Sequence, residues 1–481
     1  MAADTASEEE GDAVGPWARE LRRNFPLHAV FHGAALMLIL VNKAELVFAR
    51  SLVVCDQPAD VVANFTGSAH CGDRLLVLDK GQHLSSTGQG QECFFKVLAM
   101  IFVAVFADVV GRKPALVVGL LSTAASVALF IVATTSPPWL AFRLFAMGQG
   151  LQGAFPAELL GSIVASDIGN EPGGDVLAIS GLAAFLNFCT VFIGECASVA
   201  LNASSVTNFQ PLWAVVFVAN TTLAVVAMRC CRETKPTFAD REMPTSVVSG
   251  VVEEVREFST LWFGNSLLRL NLAQYACISF AFCCASIDLS WYMSHHGVPQ
   301  DVAAKQLCLM FPIGVLCFGI PAAMCQKVGM VKGFVGLIIA MNVVDWCFLP
   351  WYPVSPTVFL THHYCMACFS GLKSVSEAVD TRWFDQRLTA KFLSMRGLSL
   401  YVVGMFANPI YSATFDARAT TYTSRMAPYA LRMVAMVVHA CLLFGPIWRA
   451  EGGLPVVLAR IQKEREDTAE KAKPSQEKKE D

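Results

Sequence analysis

The chain has 481 residues, of which 54% are hydrophobic and 16% charged, against about a quarter charged in an ordinary soluble domain. Its net charge is −3, and the bases lie at short breaks instead of gathering on one face, which argues against a nucleic-acid partner. These proportions place it among membrane proteins.

The opening MAADTASEEEGD is polar and shows no secretory leader, so residues 1–25 read as a cytoplasmic tail and the first apolar run as a permanent span. A span requires about 20 apolar residues. Twelve segments reach that length, near 26–49, 85–106, 114–135, 139–164, 176–200, 211–229, 268–292, 306–325, 333–351, 355–379, 392–415 and 426–448. Six form an N-terminal bundle over 26–229, with an outer loop at 50–84. A polar break at 230–267 forms a cytoplasmic central loop. Six more make a C-terminal bundle over 268–448, and 449–481 is a charged cytoplasmic tail. The expected fold is an all-α membrane protein of twelve transmembrane helices in two six-helix bundles.

Lys and Arg orient it. The expected outer loops hold only Arg50, Arg74, Lys80, Lys305, Arg418 and Arg425, and the inner segments and tail hold more, so both termini are expected inside. The sequons at Asn64 and Asn202 fall in outer loops as glycosylation candidates, while that at Asn220 falls within the sixth span. Cys55 and Cys71, in the first outer loop, form a candidate disulfide if that side is oxidising, or remain two free thiols. Cys365 and Cys368 make a C-x-x-C with no second pair at zinc spacing, so no metal and no cofactor are expected.

Ionisable residues within spans are expensive and therefore candidates for function. His28, His32, Asn42 and Lys43 share one face of the first span. Gln89, Glu92 and Lys96 share a face of the second, as a proton-sensitive switch, half of a substrate clamp, or a self-neutralising ion pair. In the second half, Asp288 and Asp345 lie toward outer ends, where water can solvate them. Lys373 and Glu377 form a candidate gate pair near the inner end of the tenth span, and Arg432 and His439 lie in the last. The stretch His362–Tyr364 could relay protons, with at most one of the adjacent histidines facing a cavity.

The stretch FADVVGRKPAL, Phe106 to Leu116, sits at the inner turn between the second and third spans. Gly111 permits a tight turn, Pro114 can begin a helix, and Arg112 and Lys113 hold the turn on the inner side. Asp108-x-x-Gly111-Arg112-Lys113 resembles the loop motif of the major facilitator superfamily, with Ala104 where that motif begins with glycine. The resemblance implies that Asp108 caps the eleventh helix near Lys391–Leu393 and that Arg112 pairs with Glu158 or Asp167. MCQKVGMVKG repeats the motif weakly, with Gln326 and Gly329 in the acid and glycine positions. Arg143, Gln149 and Gly150 of the fourth span are similar to another motif of the family. The junction RETKP after the sixth span is similar to that of proton-coupled folate transporters and tetracycline exporters.

In this family the first, second and fourth helices line a central cavity, which implies that Lys43, Lys96 and Arg143 converge there. The function so implied is secondary active transport of a small organic solute, for which three converging bases would suit an anion, with the proton as coupling ion and Glu92 as its acceptor. The transporter is expected to be a monomer in the lipid of the plasma membrane or an organelle. A non-transporting nutrient sensor on the same scaffold and a drug–proton antiporter are the alternatives. An enzyme is not expected: the sequence has no nucleophile elbow, zinc-type His/Glu pattern or paired intramembrane aspartates.

Overall fold

The computed structural model describes residues 16–51, 73–154, 164, 176–203, 210–233, 246–372, 375–376 and 386–444. Their first half forms α1 (Pro16–Ser51), α2 (Arg74–Val109), α3 (Arg112–Ala133), α4 (Pro138–Ala154), α5 (Val176–Ala203) and α6 (Gln210–Cys230). The central segment contributes α7 (Val247–Gly264). The second half holds α8 (Ser266–Cys283), α9 (Asp288–His295), α10 (Gln300–Cys308), α11 (Met310–Cys317), α12 (Ile320–Val328), α13 (Met330–Phe348), α14 (Pro356–Ala367), α15 (Gln386–Thr414) and α16 (Tyr422–Phe444). Among the described residues, seven stretches are long and apolar enough to cross a membrane, including α3, α6 and the run Gln300–Val328 built from α10 to α12.

Local chemistry sets the ends. The Asp73 carboxylate accepts from the backbone N–H groups of Leu75 and Leu76 at 3.1 Å each, and α2 starts there. Residues 74–84, expected in the outer loop, are therefore helical. Asp79, Lys80, Gln82 and His83 interrupt the apolar run that marks a span, yet Leu78 on the same turns is buried. At a rise of 1.5 Å per residue the 36 residues of α2 reach about 54 Å, well beyond a hydrocarbon core of about 30 Å. The expected loop at Asn202 is likewise the last turn of α5. In α1, Asn24 leaves helical geometry just before Pro26, and Arg232 Nε donates to Asn24 Oδ1 at 3.1 Å, which ties that bend to the end of α6.

The two halves share one turn design. Gly111 (φ 119, ψ 156) opens α3 and Gly329 (φ 107, ψ 137) opens α13. Both lie in backbone regions that L side chains rarely adopt. The weak second motif thus shares its turn geometry with the first.

Each half has its own cores. Val30, Ala34, Leu116, Leu120 and Ala224 join α1, α3 and α6, while Phe334, Leu337, Met341 and Met436 join α13 to α16. The halves meet where α2 packs along α15 and α5 packs along α10 and α11. Small residues bring α2 and α15 close: a Cβ on Gly90 would lie 3.1 Å from the Met405 carbonyl, and one on Gly404 would lie 2.8 Å from Cys93 Sγ.

The paired glycines yield a comparison. Alanine at either position meets the backbone penalty, on the order of 1–3 kcal/mol, but a Cβ at Gly111 would also lie 2.7 Å from Glu233 Oε2, and one at Gly329 meets nothing within 4 Å. Thermal unfolding in detergent is expected to show a larger loss for Gly111→Ala than for Gly329→Ala. Equal losses would remove the Glu233 contact from the explanation.

Candidate functional site

Glu92 and Lys96 stand one turn apart on α2, and their side chains meet at 2.9 Å in a buried ion pair. Glycines let α4 approach this turn: a Cβ on Gly153 would lie 2.4 Å from the Glu92 carbonyl. From α1, Glu45 enters the same site, and its side chain is 1% exposed. Its carboxyl accepts from Gln149 Nε2 at 3.2 Å and Gln152 Nε2 at 3.0 Å, both on α4, and it interacts electrostatically with Glu92 and Lys96. Opposite, Lys96 Nζ sits 5.0 Å above the ring of Tyr401 on α15. Two carboxyls, one ammonium and two amides thus occupy the seam between the halves. Such a site can bind a proton, a cation or a polar solute by exchanging partners.

A second buried polar group lies in the C-terminal half. Asp345 on α13 accepts two bonds from Arg432 on α16, at 2.8 and 3.2 Å, and faces His362 Nε2 at 2.7 Å. Asp288 at the start of α9 faces His363 Nε2 at 2.9 Å and accepts from the Tyr429 hydroxyl at 2.8 Å. Tyr352 bridges the two imidazoles. The reading of Asp288 and Asp345 as solvated is corrected: they are 6% and 0% exposed. Both histidines turn inward, each onto its own aspartate.

Beside this group the halves are sealed at the end where α2 begins. Arg74 Nη2 donates to the Val298 carbonyl at 2.8 Å, Arg418 pairs with Asp73, and Ser412 Oγ meets His83 Nδ1 at 2.9 Å. Gln82 reaches deepest: its Nε2 donates to the Ser286 carbonyl at 3.1 Å, and Ser290 Oγ donates to its Oε1 at 2.6 Å.

At the opposite end, the loop motif is held by a residue that sequence reasoning did not select. The backbone N–H groups of Arg112 and Lys113 donate to the two carboxylate oxygens of Glu233 at 2.7 and 3.3 Å, an anion seated on the start of α3. The Arg112 side chain is buried. Asp108 lies in the last turn of α2, with its side chain outside the described residues. Glu158, Asp167, Lys373 and Glu377 lie outside them too, as do Cys55, Asn64 and Cys71.

Of the other candidates, Asn42 and Gln89 are half-buried, Gln149 is buried against Glu45, and the side chain of Lys43 lies outside the described set. Arg143 is exposed near the start of α4, about three helical turns before Gly153, which meets Glu92. Glu45 was missed because it stands close to the expected outer limit of the first span. Its signal was present as an uncompensated acid within an apolar run.

No protein-family model matches the sequence, and no curated relative does. Solved structures do match. A D-xylose–proton symporter aligns at TM-score 0.60 and 13% identity over 88% of this chain and 97% of its own. The human organic anion transporter MFSD10 aligns at 0.62 and 15% over 86% and 98%. The nucleoside transporter NupG aligns at 0.59 and 11% over 87% and 98%. The chain has the major facilitator fold. With its apolar helices, this makes it an integral multi-pass membrane protein.

The seal carries a pH dependence. The Leu76 backbone N–H, with help from Arg418, holds the Asp73 carboxyl below the usual carboxylate range. Its contribution is therefore present above the ordinary carboxylate value and is lost as pH falls through the lowered one. Asp73→Asn is expected to lengthen the distance between spin labels on the facing ends of α2 and α15 at neutral pH and to remove the acid-induced change. An unaltered acid response would assign it to another group.

Proposed function

We propose that the chain is a secondary active transporter that moves a small organic solute by alternating access, coupled to a proton. Twelve spans in two six-helix halves, with both termini cytoplasmic, rock about the α2–α15 and α5–α10/α11 contacts. The observation that carries this reading is the buried Glu45–Glu92–Lys96 site at the seam. A charge set buried where the halves touch is exposed to whichever side opens.

In the sealed arrangement Lys96 is held by Glu92. Glu45, held by the amides of Gln149 and Gln152, takes up the coupling proton in place of the Glu92 expected from the sequence, and an anionic group of the solute then competes with Glu92 for the Lys96 ammonium. Among the described residues the site counts two carboxyls against one ammonium, so one proton brings the empty site to neutrality inside a medium of low dielectric, and an anionic solute calls for a second. Sugar, nucleoside and organic-anion transporters among the matched structures support the transporter class and leave the solute open. Among the described residues of the Arg232–Pro236 junction, Glu233 serves as the brace for the α3 start, so we propose no folate or tetracycline specificity from it.

A thermal-shift screen of organic acids, folates, sugars, amino acids and drugs at two pH values identifies the solute, and flux into proteoliposomes tests the function. Lys96→Ala is expected to abolish uptake. Because it leaves carboxyls buried without their base, at a cost of roughly 3–5 kcal/mol, the paired variant Glu92→Gln/Lys96→Ala is expected to recover stability but not uptake. Glu45→Gln is expected to preserve solute exchange and remove its stimulation by a proton gradient. Normal uptake by the paired variant contradicts the assignment, and a solute that binds but never crosses favours a sensor.

A further inference from the structure

Helix α7 carries an apolar face that the described residues leave uncovered. At about 100° per residue, its 18 residues divide into three sectors. The first turns to the protein: Gly250 is buried, and Phe258 and Leu261 pack on Leu268, Leu272 and Met395. The second is a stripe about 100° wide formed by Val248, Val252, Val255, Trp262 and Phe263. These five side chains are between 41% and 78% exposed. Ser259 falls within the stripe, but its hydroxyl donates to the Val255 carbonyl at 2.8 Å, so water is not required there. The third sector is polar and holds Ser249, Glu253, Arg256, Glu257 and Thr260.

The position of α7 identifies what covers the stripe. Ser286, just past the far end of α8, meets Gln82 at the seal, so α8 begins at the opposite end of the molecule. There α7 joins it through Asn265, whose extended backbone separates the two helices. The membrane-spanning stretch Leu268–Ser286 starts four residues after Gly264, the last residue of α7. Among the described residues, α7 is itself not one of the stretches apolar enough to cross. Arg269, in the first turn of α8, donates from Nη1 to the Trp262 and Phe263 carbonyls at 2.5 and 2.8 Å and holds these aromatic residues at the entry to the span.

Half-buried Val251 bridges the stripe and the packed sector, so the apolar surface runs on from the protein without a polar break. On the other border of the stripe stands Arg256, while Glu253 and Glu257 are turned away from it. That order matches a phospholipid surface, with acyl chains under the valines, phosphates beside the base and water over the acids. Trp262 takes the boundary position that indole rings favour.

We propose that α7 lies along the bilayer surface at the end opposite the seal, with its stripe seated in the phospholipid of that leaflet. The stripe sinks about 5–10 Å into the boundary between headgroups and acyl chains. Because α7 packs along α2 of one half and α8 of the other, one lipid surface holds both halves at this end.

Collision accessibility of spin labels on the full-length protein in phosphatidylcholine–phosphatidylglycerol vesicles tests this without any solute or flux, so it stands or falls independently of the transport reading. A genetically encoded spin-labelled residue is placed singly at Val248, Val252, Val255, Ser249, Glu253 or Thr260, and the native cysteines stay in place. Oxygen, which concentrates in lipid, is expected to exceed a water-soluble nickel chelate several-fold at the three valine positions relative to the three polar ones. Valine-position labels that favour the chelate face water and overturn the proposal. Labels there that are shielded from both reagents lie under protein and overturn it equally. If a label unseats the helix, the native chain decides, in the same vesicles with a phospholipid carrying a photoreactive group near its glycerol. Adducts mapped to Val248–Phe263 support the proposal, and adducts confined to the spans overturn it.

Discussion

The structure is organised around the difficulty of keeping ionised groups out of both water and lipid. Glu92 and Lys96 solve it for each other at 2.9 Å, but Glu45 beside them accepts its hydrogen bonds, among the described residues, from amides. An amide dipole softens the burial of a carboxyl without cancelling its charge. Among the described residues the site is therefore one charge short of neutrality, and the proposed reading has that charge supplied by a proton that comes and goes. Binding and release of that charge are what a coupled transporter needs at its centre.

The rest of the architecture keeps this site at the boundary between the two halves. Small residues on α2 and α15 bring the helices close enough for Tyr401 to cover Lys96. At one end, the contact from Asp73 to Gln82 combines hydrogen bonds and an exposed ion pair with the burial of Leu78 in the same apolar cluster as Ile287 and Trp291. The exposed Asp73–Arg418 pair contributes in the range of about 0–1 kcal/mol, and the buried contacts carry the rest. At the other end Glu233 fixes the start of α3.

What could be seen in the sequence follows a physical divide. Interactions within one helix were legible: Glu92 and Lys96 share a face by spacing alone, and the positive-φ turn at Gly111 is announced by its glycine. Interactions between distant segments were not. Glu45 depends on Gln149 and Gln152 from α4, and uncharged amides send no signal to an acid elsewhere in the chain. Asp288 and Asp345 looked solvated because hydropathy places them near span ends, whereas the long reach of α2 and the aromatic cluster around Trp291 and Tyr352 cover that region. Helix α7 was hidden in a polar break because its apolar positions, Val248, Val252 and Val255, recur at helical spacing among charges and do not form a run. The family resemblance identified the fold from a six-residue motif, and the structure then gave the motif's turn a brace in Glu233.

Solute-induced proton movement in sealed proteoliposomes tests the central claim most directly. A pH-sensitive dye outside the vesicles reports whether adding the solute, with no imposed gradient, carries protons inward. The account predicts alkalinisation of the outer medium that requires the solute and vanishes in Glu45→Gln. Solute entry with no accompanying proton, or proton entry indifferent to Glu45, would contradict it.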